Sequence, residues 1–200
     1  AGKFVEMGQG NIGLDFAAMY SKFSSQVTTL DHGKTFLPKE DKDVADEIHN
    51  VMTANKIKII TGVLVHTVRD TSDGLLVQFR NIEGVSTEIE ASAALIATGR
   101  RPAVDALNVQ AAGIKTDPRG FLEVDDNLRT NIENIWAIGD VNGGPQFTYI
   151  SLDDFRIIRD QIFGGNYTSV KRRRTVASSV FINPPFAHIG LREKEAIQKG

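Results

Sequence analysis

The chain has 200 residues, 41% of them hydrophobic and 24% charged, the balance of an ordinary soluble globular protein. Its formal net charge of −2 implies no broad electrostatic attraction to nucleic acid or an anionic membrane, and no apolar run reaches the roughly 18 residues that span a bilayer. There is no cysteine, so the chain holds no disulfide, no thiolate metal site and no cysteine nucleophile; no metal site and a cytoplasmic location are the expectations.

In chain order, residues 3–8 read as a strand ending in glycine. Residues 11–24 follow as a helix, with Ile12, Phe16, Met19, Tyr20 and Phe23 on one face at three- and four-residue spacing. A second strand, 26–30, leads to Asp31. Pro38, Glu40 and Asp41 open a helix of about 41–55 that turns Val44, Ile48, Val51 and Met52 inward, and a third strand covers 57–61. The pattern then switches. Segments 63–69, 75–81 and 86–91 alternate between turn signals at Asp73-Gly74 and Glu83-Gly84, which predicts an antiparallel meander. Residues 93–98 are nearly all apolar, as a buried parallel strand is. Residues 3–98 therefore predict a complete Rossmann-like α/β unit with the meander as a crossover. Glu6 is out of place in its strand and is expected to point to an edge or to meet a partner.

Residues 99–170 carry less structure: short strands near 121–124 and 135–138 and a helix near 151–163. The basic run Lys171-Arg172-Arg173-Arg174 reads as a solvated hinge, with phosphate or nucleic-acid binding as the other reading, and a strand at 176–182 follows. A strand almost at the first residue and a helix from Glu193 running to Gly200 are what an excised piece of a longer protein presents.

Gly8-Gln9-Gly10-Asn11-Ile12-Gly13 joins the first strand to the first helix. In a phosphate-binding turn Gly8 permits the tight turn, Gly10 lets a pyrophosphate reach the backbone, and Gly13 lets the helix pack close to the strand. The helix start at Asn11 and Ile12 supplies free N–H groups and a positive dipole end. Three such glycines recur in many turns, but this set has the strand–turn–helix context and an acid closing the second strand. The carboxylate of Asp31 can accept from the ribose hydroxyls of an adenosine. A 2′-phosphate beside it would cost on the order of 1–4 kcal/mol. His32 and Lys34 soften that repulsion, but no arginine lies close in sequence, so NAD is the expected cofactor and NADP stays open. Asp15, in the first helical turn, either favours the helix dipole or lies near the nicotinamide end.

Three ordered motifs make the reading specific: Gly8 to Asp15, Ala97-Thr98-Gly99-Arg100-Arg101-Pro102, and Ile135-Trp136-Ala137-Ile138-Gly139-Asp140. Together they resemble the pyridine nucleotide–disulfide oxidoreductase family, which includes dihydrolipoamide dehydrogenase, glutathione reductase and mercuric reductase. Residues 121–163, with Gln146 to Ser151, look closest to its bacterial reductases linked to mercury and reactive-chlorine resistance. The resemblance implies residues 1–98 as the NAD(P)-binding domain, 99–170 as the returning half of an FAD-binding domain, and 171–200 as the start of a dimerisation domain, where Phe186 to Gly190 fits an early strand. It implies that Gly99 and Arg100 open the flavin-side loop, that Gly139 and Asp140 meet the ribityl chain of FAD, and that Phe147 and Thr148 lie against the flavin. Asp15 stands where the family usually has glutamate at the nicotinamide, with a side chain one methylene shorter.

The departures carry equal weight. The first flavin glycine turn, the redox-active cysteine pair and the C-terminal His–Glu acid/base pair are not in this chain, and Ala103 replaces the usual Asn after Arg-x-Pro. His188 sits in an expected strand and reads as a packing or surface residue. No catalytic residue is therefore expected here. The implied parent is a homodimeric, FAD-dependent oxidoreductase of redox homeostasis that takes hydride from NADH, and the missing remainder of its chain is the partner these residues need. This chain alone is expected to bind NAD, to lack flavin and to be inactive. A non-catalytic NAD-binding module, and a relative of the NADH oxidases or flavin monooxygenases, remain as alternatives. The electron acceptor is unspecified.

Overall fold

Successive side chains of a strand point to opposite faces, and in the first strand both faces are buried. In the computed structural model, which describes residues 2–173 and 175–200, β1 (Lys3–Met7) is flanked in parallel by β2 (Gln26–Leu30) and β7 (Ala93–Ile96), with β3 (Lys58–Ile60) beyond β2. Phe4 faces a core shared with Leu14 and Ala17 of α1 (Asn11–Lys22) and with Ile48 and Met52 of α2 (Lys42–Ala54). Val5 and Met7 face a second core with Val63, Val77 and Phe79 of an antiparallel meander. Its strands are β4 (Val63–Thr71), β5 (Gly74–Asn81) and β6 (Ser86–Ala91). The order is thus helices, parallel sheet, antiparallel sheet, the Rossmann-like α/β class expected from the sequence.

The chain divides into two units, one running up to Gly99 and including Ala177–Gly200, the other Arg100–Val176. The segment 171–200, expected to open a further domain, is split by this division, and its residues from Ala177 fold onto the first unit. There β8 (Ala177–Val180) and β9 (Phe186–Ile189) form an antiparallel pair, with His188 opposite Ser178. Val180 and Ile182 enter the helix-side core. A last helix, α4 (Glu193–Lys199), is tied down where α2 begins. Arg192 donates twice to Glu40, at 3.0 and 2.7 Å, and Asp41 accepts from the Glu193 N–H at 2.9 Å.

Two expectations about burial are corrected, those for β7 and Glu6, and α1 buries a different face from the one its spacing picks out. The bulky stripe of α1 does not face the core: Ile12, Phe16, Met19 and Phe23 are exposed, and Gly13, Leu14 and Ala17 are buried instead. Small residues let α1 settle on the sheet, which rotates the larger ones outward; of the stripe, Tyr20 still stacks on Phe4, with ring centroids 4.2 Å apart. β7 is parallel, as expected, but lies at the sheet edge with Ile96 69% exposed. Glu6 is neither at an edge nor paired; it is fully buried in the central strand with no hydrogen bond to either carboxyl oxygen.

In the second unit the segments near 121–124 and 135–138 form only isolated bridges, Thr116 with Leu122 and Arg129 with Trp136. An extended segment becomes a strand only where a neighbour completes its ladder. Leu122 and Ala137 pack with Val104 and Val109 instead. The helix α3 (Thr148–Phe163) starts earlier than expected, with Phe147 preceding it as the cap residue. The basic run is not a solvated hinge throughout. Lys171 pairs with Asp126 at 2.5 Å, and Arg173 is largely buried, donating to Asp153 at 2.6 Å and to Asp154; Arg174 lies outside the described residues. Asp154, 1% exposed, also accepts from the Gly139 N–H at 2.9 Å. Arg173 thereby neutralises the carboxylate that holds the Gly139–Asp140 turn. Among the described residues no helix is long and apolar enough to cross a membrane.

Arg173→Met leaves Asp153 and Asp154 without their cation. It is expected to destabilise the second unit by about 3–5 kcal/mol, read as a lower midpoint in urea unfolding; an unchanged midpoint would remove Arg173 from this role.

Candidate functional site

The turn after β1 is shaped by two close approaches. Gly8 has φ +102°, and a Cβ there would collide with the Ala97 carbonyl of the segment following β7. Its N–H reaches the Leu30 carbonyl at 2.9 Å, which ties the turn to the end of β2. A Cβ on Gly13 would collide with both Gly8 O and Glu6 Oε1. Gly10 differs: it caps α1 in an extended conformation, φ −78° and ψ 178°, and a Cβ there would meet nothing within 4 Å. Leu14 N–H donates to Gly10 O at 3.0 Å. The N–H groups ahead of it, including those of Asn11 and Ile12, are the donors a helix start leaves to an outside partner.

The turn opens on a crevice of about 720 Å³ across the carboxyl ends of β1, β2 and β7. Such a crevice is where open α/β sheets take their ligands. Gly8, Gly10, Asp31 and His32 line it, as does Gly99. Asp31 is held in place by two backbone donors, Gln9 N–H to Oδ2 at 3.0 Å and Gly33 N–H to Oδ1 at 2.6 Å, and its side chain is 19% exposed. His32 Nδ1 lies 3.8 Å from the same carboxylate. An anchored carboxylate with an exposed edge is suited to accept from a vicinal diol, because its position costs nothing further to organise.

Asn11, Ile12 and Asp15 belong to α1 and are not among the lining residues. Asp15 accepts from the Phe181 N–H at 2.6 Å; burial pushes its carboxyl above the usual range, and that bond pulls it partly back. Sequence reasoning missed part of the wall: Gln9, Lys39 and the β4 run from Val63 to Val68, including His66. Gln9 lay inside the motif itself, while Lys39 and His66 come from a loop and a strand whose path the sequence does not show.

The remaining candidates lie in the second unit. Asp140 follows Gly139 in a short 3₁₀ turn and pairs with Arg100, whose guanidinium also reaches the Gln146 carbonyl at 3.5 Å. Both side chains are substantially exposed. Phe147 stacks on Tyr149, centroids 5.7 Å apart, and Thr148 is exposed at the start of α3.

Glu6 is the electrostatic oddity. Burial, then the charge on Asp31, raises its carboxyl from 4.5 to about 8. A folded-state value above the unfolded one means the native chain holds the extra proton. Stability from this group is complete below pH 4.5 and is lost as the pH climbs toward and through 8. The difference in stability between the wild type and Glu6→Gln should therefore move in favour of the variant from pH 5 to pH 8. Over these three pH units a single proton shifts it by at most about 4 kcal/mol. Urea unfolding of both proteins at the two pH values checks this, and parallel pH dependences would contradict it.

The comparisons with known proteins follow the same lines. Residues 2–154 match the family model described as pyridine nucleotide-disulphide oxidoreductase. Over 194 residues the chain is 40% identical to a probable pyridine nucleotide-disulfide oxidoreductase of Escherichia coli K12, RclA, covering 97% of this chain and 43% of that protein. A mercuric reductase of Bacillus cereus is 32% identical over 97% of this chain and 30% of its own length. Among solved structures, RclA of Escherichia coli, titled an HOCl-induced flavoprotein disulfide reductase, superposes with a TM-score of 0.90 at 40% identity, over all of this chain and 45% of its own. LpdA of Mycobacterium tuberculosis superposes with a TM-score of 0.86 at 27% identity, over 99% of this chain and 42% of its own. The chain spans less than half the length of these relatives. With three quarters of its residues matched by the family model and its fold shared along its whole length, it belongs to the pyridine nucleotide-disulphide oxidoreductase family.

Proposed function

We propose that the Gly8–Gly13 turn and Asp31 form the docking site for NADH in an FAD-dependent oxidoreductase, of which this chain carries the hydride-donor site and part of the flavin site. The carrying observation is the turn itself. Gly8 and Gly13 are closed to any side chain, Gly10 is open toward solvent, and Asp31 is pinned beside them at the crevice. The free N–H groups of α1 receive the pyrophosphate, Asp31 accepts from the adenosine ribose, and the apolar side of β4 offers a wall for the adenine. An unmodified ribose suits Asp31 better than a 2′-phosphate, which would bring like charges together. His32 and Lys39 at the same crevice temper this preference.

For the flavin, the second unit holds a fitting donor set. Asp140 is a half-exposed carboxylate at a turn fixed by Asp154, of the kind that accepts from sugar hydroxyls, and Arg100, Gly139, Phe147 and Thr148 are the other residues of this unit assigned to it, with Gly99 at the end of the first unit leading into them. Bound flavin supplies the acceptor for the hydride leaving the nicotinamide. Arg100 must share Asp140 with the ribityl chain or release it. The assignment of 1–98, 99–170 and 171–200 to nicotinamide, flavin and dimerisation domains is part of this proposal, as are the homodimer and the cytoplasmic setting. That RclA of Escherichia coli is titled a flavoprotein disulfide reductase supports a disulfide-type acceptor for the parent.

Fluorescence titration is expected to give saturable NADH binding, tighter than NADPH; NADPH binding tenfold tighter would overturn the reading of Asp31. Gly10→Ala is accommodated by the folded chain, because a Cβ there meets nothing within 4 Å. It should lower the melting temperature only by the cost of a poorer helix cap, about 1 kcal/mol, while weakening NADH by at least about tenfold, or 1.4 kcal/mol; unchanged affinity would contradict the turn as a pyrophosphate site. The chain alone is expected to purify without FAD and to reduce no disulfide with NADH. Stoichiometric flavin and turnover would show that it is more than a partial site.

A further inference from the structure

Three acceptors of the β1–turn segment are buried with no donor reaching them: Glu6 Oε1, Glu6 Oε2 and Gln9 Oε1. Gln9 spends its amide N–H on Thr29 Oγ1, at 3.2 Å, and Thr29 is itself fully buried. A buried carboxylate that no donor reaches is strongly unfavourable as an ion. A single proton on Glu6 relieves it, since a neutral carboxyl also donates. Glu6 sits against Gly13, in the first turn of α1, close enough that a side chain there could not fit.

We propose that dinucleotide binding at this turn is proton-linked, with Glu6 required to be neutral for the pyrophosphate to occupy the α1 N-terminus. The inference rests on the docking site proposed above and adds to it a control by pH. An ionised Glu6 presses a negative charge against the helix start from the sheet side, and the pyrophosphate brings its own charges to the same dipole end from the crevice. One helix terminus then serves two anions, and occupation by one weakens the other.

The groups facing Glu6 from each packed element sharpen this. β2 presents Thr29 in register with it and Asp31 just beyond; β7 presents Leu95; α1 presents Gly13; the turn presents Gln9. Of these, Asp31 carries charge, and it is negative, so it opposes ionisation of Glu6 as burial does. The resulting value of about 8 lets a modest rise in pH switch the group. Asp31 itself is held by two backbone donors, so the two carboxyls divide the work: one holds a ribose, and the other, when neutral, admits phosphates.

The test is NADH affinity of this chain from pH 6.5 to 9.5, with calorimetry in buffers of different ionisation enthalpy. Below pH 7 the affinity should be flat; above pH 8 it should fall by roughly tenfold per pH unit, with uptake approaching one proton per NADH at pH 9. Glu6→Gln, or Glu6→Val should the amide fail to fold, should abolish both effects. His32→Gln and His66→Gln should keep them. A carboxyl-carbon NMR titration of Glu6 gives a reading independent of any ligand. Flat wild-type affinity without proton uptake, a slope that persists in Glu6→Gln, a slope that vanishes with either histidine, or Glu6 titrating near 4.5 would each overturn the proton link while leaving the docking site standing. Absence of NADH binding at every pH would instead remove the docking site, and the link with it.

Discussion

The close approach of α1 to β1 at Gly8 and Gly13 governs most of what the first unit does. Where a side chain would need to fit, the backbone of the turn and the Glu6 carboxyl already occupy the space. This contact fixes which face of α1 meets the sheet, burying Gly13, Leu14 and Ala17 and leaving Ile12, Phe16, Met19 and Phe23 outside. It also aims the helix start at the crevice over the carboxyl ends of the strands. The site and the core are therefore consequences of one packing decision. The same contact sets the Glu6 carboxyl against Gly13, in the central strand, with no hydrogen-bond partner.

Electrostatics at that end of the sheet is a contrast between two carboxyls on adjacent strands, Glu6 in β1 and Asp31 just past the end of β2. Asp31 receives two backbone N–H groups and keeps an exposed edge. Glu6 receives none and has no exposure. Environments that differ in this way give two carboxyl groups different roles without any change of functional group. The second unit solves its buried acid differently: Arg173 neutralises Asp154, which is then free to hold the Gly139 N–H and with it the turn that presents Asp140.

Much of this was legible in the residues. The period of two in β4 to β6, the inward set of α2 and the glycine spacing after β1 each follow from local geometry, and the structure has them where the pattern places them. What was not legible depended on partners distant in sequence. α1 has two apolar sides, and periodicity does not say which one the small residues will turn to the sheet. The apolar run of β7 describes a strand of this kind without saying that it lies at an edge. Residues 121–124 and 135–138 have strand-like character but no neighbour to complete a ladder. Arg173 looked like one of four surface cations until α3 brought Asp153 and Asp154 to it. In the site, Gly8, Gly10 and Asp31 were readable from the motif, whereas Lys39 and His66 reach the crevice through the loop and strand that follow β2 and β3.

The central claim is that the turn after β1 receives the phosphates of a dinucleotide. Amide-resolved NMR of the chain titrated with NADH tests it most directly. The account predicts saturable shifts concentrated on the N–H groups of Gln9, Gly10, Asn11 and Ile12, with Gly33 following through Asp31. Shifts confined to other parts of the chain, or none at saturating NADH, would contradict it.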